Sequence, residues 1–292
     1  MKIEQNRFTF GLEANDKGYL DLARALSALN GKSITQTKRS DGKYKPLGYM
    51  VRLRSLVGTV GIETLNCGYP TRNSVVLAGA ARDAMLKSAG VSRSNLESYQ
   101  KELRIKFDAD QTDASSISPG ATALGFGSDY KLLASHANAW GNFSGPYDYT
   151  KLVYDDPASP GTDKVDTMCM LGNSATGITH PGNMAVVYNW SAWRHSFTPS
   201  SADDDIQDNI FSYVMQQSST SDEIIDIVAD DADNKPYTLG NFISRTINSI
   251  SSTDVGNPTS PVICAPLGLL KFTAGTSAAH IVEVEILGVT EL

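Results

Sequence analysis

His280-Ile-Val-Glu-Val-Glu-Ile-Leu287 alternates its side chains with a period of two: Val282, Val284 and Ile286 share one face, while Glu283 and Glu285 share the other with Ile281 and Leu287. Successive strand residues point to opposite faces, so this stretch reads as a strand with one firmly apolar side. Just upstream, Val262-Ile-Cys-Ala-Pro-Leu-Gly-Leu-Leu-Lys-Phe272 is a second β-prone run. The segment between them, Thr273-Ala-Gly-Thr-Ser-Ala-Ala279, is rich in small, turn-compatible residues. Together they predict a C-terminal hairpin.

The same period returns at the other end of the chain. Arg7-Phe-Thr-Phe-Gly-Leu-Glu13 places Phe8, Phe10 and Leu12 on one face. In Tyr49-Met-Val-Arg-Leu-Arg-Ser-Leu-Val57, Val51, Leu53 and Val57 face one way and Arg52 and Arg54 the other. Gly58 and Gly61 mark a turn or bulge before Ile62-Glu-Thr-Leu65. Shorter β-prone runs are 103–107, 151–154, 165–171, 184–190 and 223–228.

Helical signals are fewer. Asp16 offers a cap, Tyr19, Leu22, Leu26 and Leu29 recur at helical spacing, and Asn30-Gly31 supplies a stop, which predicts a helix over 17–30. Thr71, an Ala-rich stretch and Gly90 predict a second over 72–89, and Ser94-Asn-Leu-Glu97 has capping-box spacing. Carboxylates at 203–205 favour a helix start. Residues 242–250 fit helical spacing and remain ambiguous.

Many short strands between Gly, Pro, Asn and Ser turns, with a few helices, predict a mainly β fold of antiparallel sandwich or jelly-roll type. No period of 20–50 residues repeats, which argues against a solenoid or propeller. Residues 108–148 show little period. They are the predicted boundary between an N-terminal half, 1–148, with helices near 17–30 and 72–89, and a C-terminal half, 149–292, ending in the hairpin.

With 292 residues, the chain can bury roughly 75% of its unfolded surface. Its charge is segregated. Residues 1–106 carry 18 Lys and Arg against 9 Asp and Glu, and residues 107–292 carry 7 against 23. Such a layout predicts oppositely charged surfaces that pair copies or separate two faces of one subunit. There is no secretory h-region and no apolar run of about 18 residues, so neither export nor a membrane span is expected. Cys67, Cys169 and Cys264 form no Cys-x-x-Cys and read as separate buried thiols made in a reducing compartment.

Catalytic chemistry finds little support. His136, His180, His195 and His280 are scattered, no Gly-x-Ser-x-Gly occurs, and Gly125-Phe-Gly127 lacks the Lys of a phosphate loop. Asp155 and Asp156, adjacent on a strand, point apart and make poor acid–base partners. Asp230, Asp231 and Asp233 are weak Ca²⁺ candidates without the Gly and bidentate Glu of an EF-hand loop, and a solvated loop outweighs them. Lys38, Arg39, Lys43, Lys45, Arg52 and Arg54, interleaved with Tyr44 and Tyr49, suit phosphate and base contact but form no compact nucleic-acid module. No enzyme, no cofactor and no metal is expected. Arg52, Arg54, Trp190, Trp193 and Arg194 are the interface candidates, because Trp and Arg anchor interfaces. Trp140, Phe143, Tyr147 and Tyr149 would serve a carbohydrate-binding sandwich instead.

In Tyr19-Leu-Asp-Leu-Ala-Arg-Ala-Leu-Ser-Ala-Leu-Asn30, in 49–90 and in Cys264-Ala-Pro-Leu-Gly-Leu-Leu270, about a third of the chain, the sequence resembles major capsid proteins of tailless icosahedral bacteriophages of aquatic, metagenomic type. The resemblance implies a jelly-roll coat subunit, made in host cytoplasm, that self-assembles into a virion shell, with a double barrel favoured. About a dozen strands fall short of two eight-stranded barrels, so a single barrel with long insertions stays open. The implied partners are further copies of the chain and minor capsid proteins; genome and membrane contact stay open.

Overall fold

The alternating stretch 280–287 lies within the last strand, Ala279–Glu291, of a computed structural model. The structure describes residues 6–30, 32–96, 102–108, 110–111, 149–156, 159–171, 186–187, 244–253, 259–276 and 279–292. In chain order the elements are β1 (Arg7–Glu13), β2 (Lys17–Asp21), α1 (Leu22–Asn30), β3 (Thr37–Ser40), β4 (Lys43–Val57), β5 (Thr59–Leu65) and α2 (Tyr69–Ser88). A 3₁₀ turn (Arg93–Asn95), β6 (Lys106–Asp108), β7 (Lys151–Asp156), β8 (Ser159–Thr167), β9 (Cys169–Leu171) and β10 (Ser244–Ser251) follow. The chain closes with β11 (Ile263–Pro266), β12 (Leu269–Ala274) and β13 (Ala279–Glu291). The protein is mainly β, as expected, with few helices.

Two antiparallel sheets carry the fold. Sheet A has the order β1-β13-β4-β11, with β3 also paired to β4, and sheet B has the order β10-β5-β12-β2. Numbering only the eight principal strands along the chain, the first pairs with the eighth, the second with the seventh, the third with the sixth and the fourth with the fifth. The β13–β4 and β12–β5 pairings then join these four ladders into two sheets. These eight strands thus form one long two-stranded ribbon folded over on itself.

Every one of the eight strands turns apolar residues into the space between the sheets. Phe8, Phe10, Val51, Leu53, Ile263, Val282, Val284 and Ile286 come from sheet A, and Leu20, Val60, Ile62, Ile250, Leu270 and Phe272 from sheet B. Leu22 and Leu26 of α1 join this same core. Phe10 and Phe272 meet across it with ring centroids 4.8 Å apart. Full burial of such side chains stabilises by roughly 1.5–3 kcal/mol each, which makes this core the main driving force of the fold.

A second core covers the other side of sheet B. Tyr19, Leu65 and Leu269 pack there with Val75, Ala78 and Ala81 of α2, and with Leu103, Ile105, Phe107, Met168 and Met170. All of these but Tyr19, Leu65 and Leu269 lie in the 178-residue stretch between β5 and β10 (66–243).

Several expectations need correction. The 262–272 run is two strands, not one, and no hairpin joins it to 280–287. Pro266 ends β11, and the left-handed pair Leu267 (φ 59°) and Gly268 (φ 71°) turns the chain out of sheet A into sheet B. Both faces of β12 are buried, so its apolar residues are best used between two layers, while β13 returns to sheet A. The helix expected over 17–30 starts only at Leu22. Residues 17–21 are β2, paired to β12, and Asp21 rather than Asp16 caps α1, accepting a hydrogen bond from the Arg24 N–H at 3.1 Å.

Residues 244–251 resolve to a strand, whereas Val186 and Val187, the described part of the 184–190 run, are helical and buried. The helix expected over 72–89 begins at Tyr69, with Pro70 in its first turn where no N–H is required. Each sheet takes strands from both sides of residue 148, so among the described residues the two expected halves share one core rather than forming separate units.

Candidate interaction surfaces

Sheet A presents its outer face to solvent, and there the segregated charges of the chain meet. The acidic end supplies Glu283 and Glu285 on β13. The basic end flanks them, because Arg7 on β1 is the register partner of Glu285 and Arg52 and Arg54 on β4 are those of Glu285 and Glu283. Arg7 reaches Glu283 at 3.1 Å and Glu285 at 2.7 Å, and Arg52 stands 3.8 Å from Glu285. Lower on the same strands, Glu291 receives Lys45 at 2.8 Å and Lys38 at 3.4 Å. Hydrogen bonds from Lys45 and then Lys38 hold the Glu291 carboxyl below the usual carboxylate range. Arg7 is held above its ordinary value by Glu285.

Exposed pairs of this kind add little stability; they set the pattern of charge that a partner would meet. Two of the three expected interface arginines, Arg52 and Arg54, are exposed on this face, and Arg54 has no ion pair among the described residues. Leu287, 46% exposed, lies at its lower end beside a groove of about 560 Å³ lined by Asn6, Lys38, Leu47 and Val289.

The outer side of sheet B is closed by a polar seam instead. Lys271 on β12 and Tyr19 on β2 are register partners. Both donate to one oxygen of Asp108, the ammonium at 2.8 Å and the phenol at 2.9 Å. The Lys271 ammonium also sits 5.2 Å from the centroid of the Tyr19 ring. Burial pushes the Asp108 carboxyl up, against the hydrogen bond from Lys271, and it pushes Asp21 up against the field of Arg104.

Gln36 ties the same layers together. Its amide donates to Asp21 at 2.8 Å and to the Ile105 carbonyl at 3.1 Å, and it accepts from the Ile105 N–H at 2.7 Å. Arg104, 2% exposed, pairs with Glu102 at 2.8 Å. Gln111 accepts from the Phe107 N–H and donates to the Tyr149 hydroxyl. These groups are enclosed and bonded largely to one another, so they tie residues 102–111 and Tyr149 to the sandwich. Sequence reasoning passed over them; the one signal was a lysine inside the apolar run Leu269-Leu-Lys-Phe272.

Residues expected to stack a base do not face solvent. The guanidinium carbons of Arg39 and Arg93 lie 5.3 and 5.2 Å from the centroid of the buried Tyr44 ring, and both arginines pair with Asp83. Tyr49 is buried and donates to the Thr35 carbonyl at 2.6 Å. Tyr149, expected in a sugar-stacking platform, is buried as well.

Of the histidines only His280 is described. It is 1% exposed, and neither ring nitrogen has a hydrogen-bond partner among the described residues. The expected picture of three separate buried thiols holds for Cys169 alone: Cys67 is exposed and lies against the half-buried Cys264.

Among the described residues no group of three or more His, Cys, Asp or Glu is arranged to hold a metal, and no helix is long and apolar enough to cross a membrane. Trp190, Trp193, Arg194, Asp230, Asp231 and Asp233 lie outside the described residues, as do Trp140, Phe143 and Tyr147. Compared with known proteins, the chain matches no protein-family model, no curated protein and no solved structure.

Proposed function

We propose that this chain is a structural coat subunit without catalytic activity, a jelly-roll barrel whose copies assemble into an icosahedral virion shell. The observation that carries the reading is the nested strand order, first with eighth through fourth with fifth, closed into two sheets of four principal strands each. A double Greek key wound in this way is a jelly roll, an architecture used by viral coats and also by lectins and cupins. Among the described residues, one set of eight strands encloses the inter-sheet core, which favours a single barrel with a long insertion over the double barrel. The buried polar seam supports a structural role for that insertion, and the charged outer face of sheet A supports contact between copies.

The test is the native mass of the full chain, with electron microscopy, at low and high salt. Trimers, pentamers or particles are the expected species. Contacts made through Arg52, Arg54 and their acidic neighbours should weaken as salt rises, because exposed charges are screened within about 8 Å at physiological ionic strength. A strict monomer at high concentration in both buffers overturns the reading, and a monomer that binds a glycan array replaces it with a carbohydrate-binding module.

A further inference from the structure

Two cysteines separated by 197 positions in sequence meet at one end of the sandwich. Cys67 lies just beyond β5, at the root of the insertion, and Cys264 is the second residue of β11, the edge strand of sheet A. The Cys67 thiol donates to the Cys264 backbone carbonyl at 3.6 Å.

The position of the Cys264 sulfur depends on a neighbouring strand. Gly48 on β4 lies beside it, and a Cβ at Gly48 would come within 2.9 Å of the Cys264 sulfur. A side chain at position 48 would therefore push the sulfur away. Cys67 is exposed, which opens the pair to a small reagent, whereas Cys169 is buried in the second core with Met168 and Met170.

We propose that Cys67 and Cys264 are a dithiol that closes to an intrachain disulfide when the folded protein meets a small-molecule disulfide such as oxidised glutathione. The exposed Cys67 thiolate attacks one glutathione sulfur, and the other glutathione leaves as a thiolate and takes up a proton. The Cys264 thiolate then attacks the Cys67 sulfur of the mixed disulfide, forms the Cys67–Cys264 bond and releases the second glutathione. The protein loses two electrons and two protons, and the glutathione disulfide gains them.

The link has a mechanical consequence. It encloses the entire insertion in one covalent loop and fastens its root to the edge strand across the gap between the sheets. A cross-link that closes so long a loop acts mainly by restricting the unfolded chain. The inference rests on this geometry alone and stands or falls independently of the coat-protein reading.

The experiment uses the reduced full chain, incubated with oxidised glutathione and followed by thiol titration, intact mass, peptide mapping and thermal unfolding. Loss of two of the three thiols is expected, with a single cross-linked peptide joining Cys67 to Cys264 and no retained glutathione. The unfolding midpoint should rise by roughly 5–15 °C. Cys67→Ser, at an exposed position, should unfold at the temperature of the reduced wild type and show no rise on oxidation, while Cys169→Ser keeps both link and rise. Cys264→Ser should stop at a glutathione adduct on Cys67. A wild-type chain that accumulates this adduct without the cross-link, links Cys169 instead or keeps all three thiols overturns the proposal.

Discussion

The two sheets share one apolar core but differ completely on their outer sides. Sheet A shows solvent a ladder of Arg7, Glu283, Glu285 and Arg52, whereas sheet B hides Tyr19 and Lys271 under the insertion, against Asp108. Opposite charges meet on both sides, yet the energetics differ. On sheet A water screens each charge, so the pairs are adjustable and nearly neutral in stability. On sheet B the same kind of pair sits where removing one partner strands the other without solvent. One outer side is therefore suited to meeting other molecules and the other to holding the chain's own insertion.

The largest expected effect breaks the seam. Asp108→Ala should cost about 3–5 kcal/mol in denaturant unfolding, because it leaves the Lys271 ammonium buried and unpaired. The double variant Asp108→Leu with Lys271→Met should recover much of that loss. Equal losses in the single and double variants would show that packing, not charge, governs this side.

Acid should act on the two sides in opposite senses. The folded Glu291 carboxyl lies below its unfolded value, so its contribution is present above the ordinary carboxylate value of about 4.3 and is lost as pH falls through the folded value. The folded Asp21 carboxyl lies above its unfolded value, so its contribution is greatest below about 3.9 and declines as pH rises through the folded value. Carboxyl NMR titration should place Glu291 below and Asp21 above their ordinary values. The reverse order would erase the contrast.

The smallest effect belongs to the exposed ladder. Glu285→Gln should leave the unfolding midpoint indistinguishable from wild type at physiological salt, while changing any salt-dependent association of copies. A clear loss of stability would mean that the ladder supports the fold itself.

Legibility in the sequence followed the same division. Where one face is wet, alternation is unmistakable: β1, the end of β4 and β13 were readable from Phe8 and Phe10, from Val51 and Leu53, and from Val282, Val284 and Ile286. Where both faces are buried, alternation disappears. Leu269-Leu-Lys-Phe272 looked like the continuation of one strand, and Tyr19, Leu22 and Leu26 looked like one helix although Tyr19 belongs to β2. Periodicity reports how many sides of an element are covered, and a strand covered twice has no period to report.

The candidate surfaces divided similarly. Arg52 and Arg54 were visible as the polar face of a strand. The seam was not, because Lys271 and Asp108 are 163 positions apart and neither sits in a motif. The charge segregation was plain in composition, but its outcome was not. Basic and acidic ends meet within a single chain because the ribbon's fold sets the first strand beside the last.

The sequence by itself determined that the chain is mainly β, which faces of its one-sided strands turn inward, and where the charges lie along it. These follow from local period and composition. Only the tertiary structure decided which strands pair, that 262–272 divides between two sheets, that the buried Lys271 finds Asp108, and that Cys67 reaches Cys264. Each of these depends on contacts between residues far apart in sequence, and no local pattern of side chains encodes such a partner.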